Sequence, residues 1–281
     1  MNTSTLTTAD GLKLHLQDWP VADARGTVLI VHGLGEHIGR YEHVAQHLNS
    51  WGWNAAGYDH RGHGRSEGAK GRLNDSEGML RDLSLVIDAV RKRHPGPLVL
   101  LGHSMGGLVA ARFVAEGVGR PAPWHRAVDA LVLSSPALAA DTTGMQKLLL
   151  AVAGALAPDL AVNNGLQPEW ISHDPKVVAA YLADPLVHDR ITPRLGRFIL
   201  DGGELVRQRA GQWTLPTLLM FAGSDRCVAP RGSREFVAAA PKSVLTSHEF
   251  GPLFHEIFNE PEQAEVFAVL GPWLQSLKLK A

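Results

Sequence analysis

Along the first half of the chain, apolar residues gather into short unbroken runs: Thr27 to His32, Trp53 to Tyr58, Leu98 to Gly102 and Val128 to Ser134. Runs of this length predict strands buried on both faces. Between them the apolar positions recur at helical spacing, over Tyr41 to Trp51, Ser76 to His94 and Met105 to Gly117. In the second of these, Leu80, Leu83, Val86, Ile87 and Val90 share one face while Arg81, Asp82, Asp88, Arg91 and Lys92 lie opposite. That is an amphipathic helix resting on a core, and His94-Pro95-Gly96-Pro97 stops it. Strand alternating with helix predicts an α/β fold with a mostly parallel sheet flanked by helices.

The rhythm breaks after Pro136. From there to Gln212 the chain shows helix-like patches and Pro interruptions but no strand pattern. It resumes with the strand Pro216 to Ala222, the helix Arg231 to Ala240, the strand Val244 to Phe250 and the helix Pro261 to Leu277. The expected organisation is therefore one α/β core, residues 1–135 and 213–281, with a helical cap inserted over 136–212. Within that insertion Leu148, Leu149, Leu150, Val152, Ala153 and Leu156 predict a helix apolar almost all round, and such a helix is either buried or faces lipid.

Composition narrows the function classes. With 281 residues, 45% hydrophobic and 20% charged, the chain is globular and large enough for a substantial core. Its 27 basic and 28 acidic side chains leave a net charge of -1, which offers no electrostatic footprint for nucleic acid. One cysteine and no signal-peptide pattern at the N-terminus make the cytoplasm the expected location. No run approaches the roughly 18 apolar residues that a spanning helix needs.

Chemistry enters at Gly102-His103-Ser104-Met105-Gly106, a G-x-S-x-G motif placed between a predicted strand and a predicted helix. So sharp a turn strains its central residue, and small residues two positions either side let the neighbouring backbones pass. Ser104 would then stand at the carboxyl edge of the sheet and at a helix N-terminus. A serine hydroxyl is a weak nucleophile unless a base takes its proton, and the base needs a third group to fix its tautomer. Asp225 and His255 follow in that order, each in a loop after a late strand. His103 is nearer in sequence but points elsewhere on a sharp elbow. The loop His32-Gly33-Leu34-Gly35 follows an earlier strand, so the N–H groups of Leu34 and Met105 become the expected oxyanion-hole donors.

Other motifs carry less. His43 and His47, or His60 and His63, have spacings that suit a metal, but no HExxH or cysteine framework accompanies them. Asp59 to Ser66 reads as a Gly-containing turn at a strand end. No dinucleotide fingerprint and no phosphate-binding loop occur, so neither a cofactor nor a metal is expected.

Taken together, His32 to Tyr41, Asp59 to Gly68, Gly102 to Gly107, Gly223 to Arg226 and His255 to Glu260 resemble the monoacylglycerol lipase and lysophospholipase branch of the α/β-hydrolases, grouped with the S33 serine aminopeptidases. The resemblance covers nearly the whole chain. It implies Ser104 as nucleophile, His255 as base, Asp225 as its orienter, and Leu34 and Met105 as oxyanion donors. It also implies a cap over an acyl-chain pocket, with Glu36 and Arg40 at the polar end where glycerol leaves. Phe258 stands where the animal enzymes carry a polar residue in that pocket, and Leu149 and Val152 of the cap are candidates for the acyl wall. The expected activity is cofactor-free hydrolysis of medium- to long-chain carboxylic esters, monoacylglycerols or related lipids, with transient contact of the cap with a membrane or micelle. The same triad also serves a broad carboxylesterase, an acyltransferase or an amidase, and the same fold serves non-enzymatic ligand receptors.

Overall fold

The computed structural model describes residues 1–118, 121–140 and 152–279. Its centre is an eight-stranded sheet in the order β1-β2-β4-β3-β5-β6-β9-β10. The strands are β1 (Asn2–Thr7), β2 (Lys13–Trp19), β3 (Thr27–Val31), β4 (Asn54–Tyr58), β5 (Leu98–His103), β6 (Ala130–Ser134), β9 (Thr217–Ala222) and β10 (Leu245–Phe250). A short pair, β7 (Val162–Asn163) and β8 (Arg190–Ile191), forms a separate ribbon. From β4 to β10 neighbouring strands of the large sheet run parallel, while β1 and β2 join antiparallel.

The β1–β2 hairpin is an element the hydrophobic pattern does not predict. Its outer strand, Asn2–Thr7, is polar and largely exposed, so it lacks the apolar run that marks the central strands. The turn signal is present, however. Gly11 follows Asp10 with a positive φ of 86°, a conformation that glycine adopts without strain.

Side chains alternate across the sheet and divide the core into two layers. Leu29, Val31, Leu100, Leu131, Leu133 and Leu219 face one layer, which holds the apolar sides of helices α2 (Gly78–Arg93) and α3 (Ser104–Ala115). Val28, Ile30, Val99, Leu101, Val132 and Met220 face the other, filled by α1 (Glu42–Ser50) and the C-terminal helix α7 (Gln263–Ser276).

Within the expected insertion lie α4 (Pro175–Ala183) and α5 (Pro193–Arg209), and α6 (Pro230–Ala239) follows β9. Helix α5, within the expected insertion, packs on the core. Its Leu195, Phe198 and Val206 are buried in the same layer as Leu108 and Phe113 of α3. The stretch that covers the sheet's carboxyl edge is the less regular chain before it, with the ribbon β7–β8 and α4. Val152 lies in a helical turn, residues 152–156, and is 48% exposed. Leu148, Leu149 and Leu150 lie outside the described residues.

Candidate active site

The turn from β5 into α3 places Ser104 in the left-handed region, φ 53°, where a residue with a Cβ is strained by roughly 1–2 kcal/mol. Close packing of the flanking backbone maintains it. A Cβ on Gly102 would lie 2.6 Å from the carbonyl oxygen of Gly106, and one on Gly106 would run into the carbonyls of Val31 and His32. Glycine at both positions is therefore a steric requirement of the elbow.

Asp225 lies in the loop after β9. Its Oδ1 accepts the backbone N–H groups of Cys227 (2.8 Å) and Val228 (3.0 Å), which fixes the carboxylate and aims Oδ2 at His255 Nδ1, 2.7 Å away. His255, in the loop after β10, has its Nε2 2.8 Å from Ser104 Oγ. Three residues from three strand-end loops thus form one hydrogen-bonded line. Burial alone would lower the His255 pKa, but the Asp225 carboxylate, with Glu256 and Glu36 beyond it, raises it above the ordinary imidazole value.

His103 packs beside His255, ring centroids 4.8 Å apart, and its Nδ1 lies 3.1 Å from Ser134 Oγ. Burial, and then the charge of His255, press its pKa down to about 3. On the other side the loop after β3 passes close to Ser104, since a Cβ on Gly33 would lie 3.1 Å from Ser104 Cβ. Leu34 follows in that loop and Met105 lies in the first turn of α3, where the first N–H groups of a helix have no intrahelical acceptor.

Glu36, 3% exposed, lies behind the same loop. Its Oε1 accepts Gly33 N–H at 2.5 Å and Tyr41 O–H at 2.7 Å, and its Oε2 accepts Arg40 Nη1 at 2.8 Å. Arg40 also makes a two-pronged pair with Glu256, 2.7 Å at each oxygen.

The triad opens into a cavity of about 430 Å³, within the range of small-molecule sites. Its wall includes Leu34, Ile171, Leu166, Leu182 and Val187, with polar groups from Tyr181, Asp184 and His188. The covering chain is tied to the core near Ser104. His188 N–H donates to the Gly35 carbonyl at 2.9 Å, His37 Nε2 meets Asp184 Oδ2 at 2.8 Å, and Glu256 N–H donates to the Ile171 carbonyl at 2.8 Å.

Several expected substrate contacts fall elsewhere. Phe258 is 3% exposed and packs on Phe267 of α7, centroids 5.3 Å apart, because the 3-10 turn Ile257–Asn259 directs it into the core. It does not line the cavity, so its apolar character says nothing of the alcohol leaving group. Nor does Arg40 line it, because its charge is taken up by the two carboxylates and its guanidinium lies over the Tyr181 ring at 4.9 Å. Glu36 does line it, Val152 does not, and Leu149 lies outside the described residues. Tyr181, Asp184 and His188 are wall residues that no motif announces. Glu256 was open to detection as a charge directly beside the candidate base.

Among the described residues one group, Asp225, Cys227 and His255, brings metal-ligand atoms within 4.8 Å of one another. It is a poor donor set. Asp225 and His255 are bonded to each other, and burial, then the nearby carboxylates, push the Cys227 thiol far up, so it stays protonated.

This fold and this site define an ester hydrolase of the α/β-hydrolase superfamily. The family described as serine aminopeptidase, S33, matches residues 22–262, and the chain belongs to it. It is 38% identical to the monoacylglycerol lipase of Mycolicibacterium smegmatis over 272 residues, 95% of this chain and 94% of that enzyme. It is 30% identical to human monoglyceride lipase, over 96% of this chain and 89% of the human one. The crystal structure of Paleococcus ferrophilus monoacylglycerol lipase superposes with a TM-score of 0.83 at 34% identity, covering 94% of this chain and 98% of that one. No described helix is long and apolar enough to cross a membrane.

Proposed function

We propose that the protein hydrolyses carboxylic esters of medium to long acyl chains, monoacylglycerols foremost, through an acyl-enzyme on Ser104. The observation that carries this reading is the line from Asp225 Oδ2 through His255 to Ser104 Oγ, 2.7 and 2.8 Å, at the floor of a partly apolar cavity.

His255, held by Asp225 with its proton on Nδ1, takes the Ser104 proton at Nε2 as Oγ attacks the ester carbonyl. The negative charge that forms on the carbonyl oxygen meets the N–H groups of Leu34 and Met105. The imidazolium then returns its proton to the departing alcohol. A water molecule, deprotonated by the same nitrogen, releases the fatty acid and restores Ser104. No cofactor enters this scheme.

The names of the relatives favour the monoacylglycerol class. Exposed apolar residues on the covering chain support lipid contact: Leu156 is 82% exposed, Leu182 63% and Leu160 60%, and Leu182 also lines the cavity. We read these as a surface that rests transiently on a membrane or micelle while substrate enters. A cytoplasmic location belongs to the same reading, supported by the free thiol of Cys227.

The test is labelling by a fluorophosphonate together with turnover of a long-chain monoacylglycerol, in the wild type and in Ser104→Ala. Turnover and labelling by the wild type alone are expected. A Ser104→Ala protein that keeps activity within tenfold would reject Ser104 as the nucleophile.

A further inference from the structure

Resting on the functional reading above, we propose that Arg40 is a positioning residue. Through Glu36 it fixes the loop that carries Leu34, and through Glu256 it fixes both the loop that carries His255 and the negative charge beside that imidazole.

The connectivity is closed on all sides. Glu36 Oε1 is held by Gly33 N–H and Tyr41 O–H, and its Oε2 by Arg40 Nη1. Glu256 Oε1 accepts Arg40 Nη1, and its Oε2 accepts Arg40 Nη2 and Asn259 Nδ2 at 2.8 Å. Side-chain exposure is only 12% for Arg40, 5% for Glu36 and 6% for Glu256. Tyr181 of α4 lies against the guanidinium. One buried cation therefore joins the loop after β3, the loop after β10 and a helix of the covering chain. A two-pronged arginine fixes orientation as well as distance, which a lysine cannot do. The Gly33 bond matters because it holds the His32–Gly33 peptide, one unit before the peptide that carries the Leu34 N–H.

The bridge also sets charge. The groups facing His255 are Asp225, Ser104, the His103 ring, Cys227, Glu256 and Glu36, with Arg40 behind the two glutamates. Removing an anion from this set favours neutral imidazole, and removing the cation favours imidazolium. The two ends of the bridge must therefore move the acid limb of the kcat/KM profile in opposite directions.

The experiment measures kcat, KM and the pH profile for wild type, Glu256→Gln and Arg40→Met. Each is assayed on a monoacylglycerol and on the ethyl ester of the same fatty acid, with melting temperatures recorded. Glu256→Gln keeps the side chain's shape and should shift the acid limb to lower pH by roughly half a unit or more. Arg40→Met should shift it to higher pH. Both should lower kcat about tenfold or more on both esters, with KM little changed, as expected for a defect felt in the transition state. Should Arg40→Met fail to fold, the Glu256→Gln profile decides the matter. Loss confined to the monoacylglycerol would show that these residues bind glycerol and would overturn the proposal, as would an unmoved acid limb in Glu256→Gln. A wild-type protein inert to both esters and to fluorophosphonate would instead overturn the functional reading on which the proposal rests.

Discussion

Replacing Gly35 by alanine tests whether the covering chain and the oxyanion loop act as one unit. Gly35 has φ 77°, and a Cβ there would run into the His188 carbonyl and come within 3.6 Å of Tyr181 Oη. The left-handed conformation costs an alanine about 1–2 kcal/mol. Displacing residue 188 loses the 2.9 Å bond from its N–H to the Gly35 carbonyl, about 1 kcal/mol net. The stiffer unfolded chain returns about 0.5 kcal/mol. The net loss is roughly 2 kcal/mol, a melting point lower by about 4 °C at some 2 °C per kcal/mol for a chain of this size. Because Leu34 precedes Gly35 directly, kcat should fall about tenfold or more as the oxyanion donor is displaced. Thermal melts and p-nitrophenyl butyrate kinetics measure both effects. Gly11→Ala is the control, since Gly11 has a similar φ of 86° with nothing within 4 Å of its Cβ. It should show the conformational penalty and no kinetic defect. Equal destabilisation by the two substitutions, with kcat intact in Gly35→Ala, would refute the coupling.

Asp225→Asn should lower kcat by about 10⁴ with the fold preserved. The Cys227 and Val228 N–H groups require an oxygen at the Oδ1 position, so the amide NH₂ must face His255 Nδ1 and force the wrong tautomer. Wild-type activity in this variant would mean that another carboxylate orients the histidine. Stability should fall on acidification below pH 6.5. Burial first, and then the other imidazoles packed around them, hold the pKa values of His32, His60 and His63 well below the ordinary value. The unfolded chain therefore takes up protons that the fold refuses, at about 1.4 kcal/mol per pH unit for each histidine. The raised pKa of His255 acts oppositely but is one group against these three, so the net effect between pH 6.5 and 5.5 is a loss of stability. A urea midpoint that does not move over that interval would contradict their burial as neutral rings. Leu182→Asp should raise KM for a long-chain ester at least tenfold more than for p-nitrophenyl acetate, because Leu182 lines the cavity while remaining largely exposed. Equal loss on both substrates would assign Leu182 to folding.

What the sequence discloses follows from how local each signal is. The central strands are legible because each is buried on both faces and so is a nearly unbroken apolar run, as in Thr27–Val31 and Thr217–Ala222, each apolar after its first residue. Helix α2 is legible because one face is apolar over four turns. The strand β1 is not, since an exposed edge strand of Asn, Ser and Thr with the single apolar residue Leu6 has no run to detect. The elbow at Ser104 can be read because sterics admit only glycine at 102 and 106, which turns a three-dimensional constraint into a one-dimensional motif. Nothing comparable restricts Tyr181, Asp184 or His188, which reach the cavity through the path of the covering chain. Position in a motif points Arg40 and Phe258 to the pocket, and their surroundings redirect them. Carboxylates on both sides claim the guanidinium, and a 3-10 turn commits the ring to the core.

The neighbouring imidazoles His103 and His255 show why the site is decided by partners more than by burial. Both rings are buried, 4% and 5% exposed, with centroids 4.8 Å apart, so desolvation presses both pKa values down. His103 has only the Ser134 hydroxyl at its Nδ1, and its pKa falls to about 3. His255 has Asp225 at 2.7 Å with Glu256 and Glu36 behind it, and its pKa rises. Each ring also disfavours protonation of the other. A single proton entering the pair therefore belongs on His255, the ring whose Nε2 lies 2.8 Å from Ser104 Oγ. His103 stays neutral through the cycle and can pack against the base without competing for the proton that the serine gives up. Paired titratable groups driven apart by their surroundings mark which of two like side chains does acid–base work. The carboxylates on the loops after β3, β9 and β10 make that distinction here.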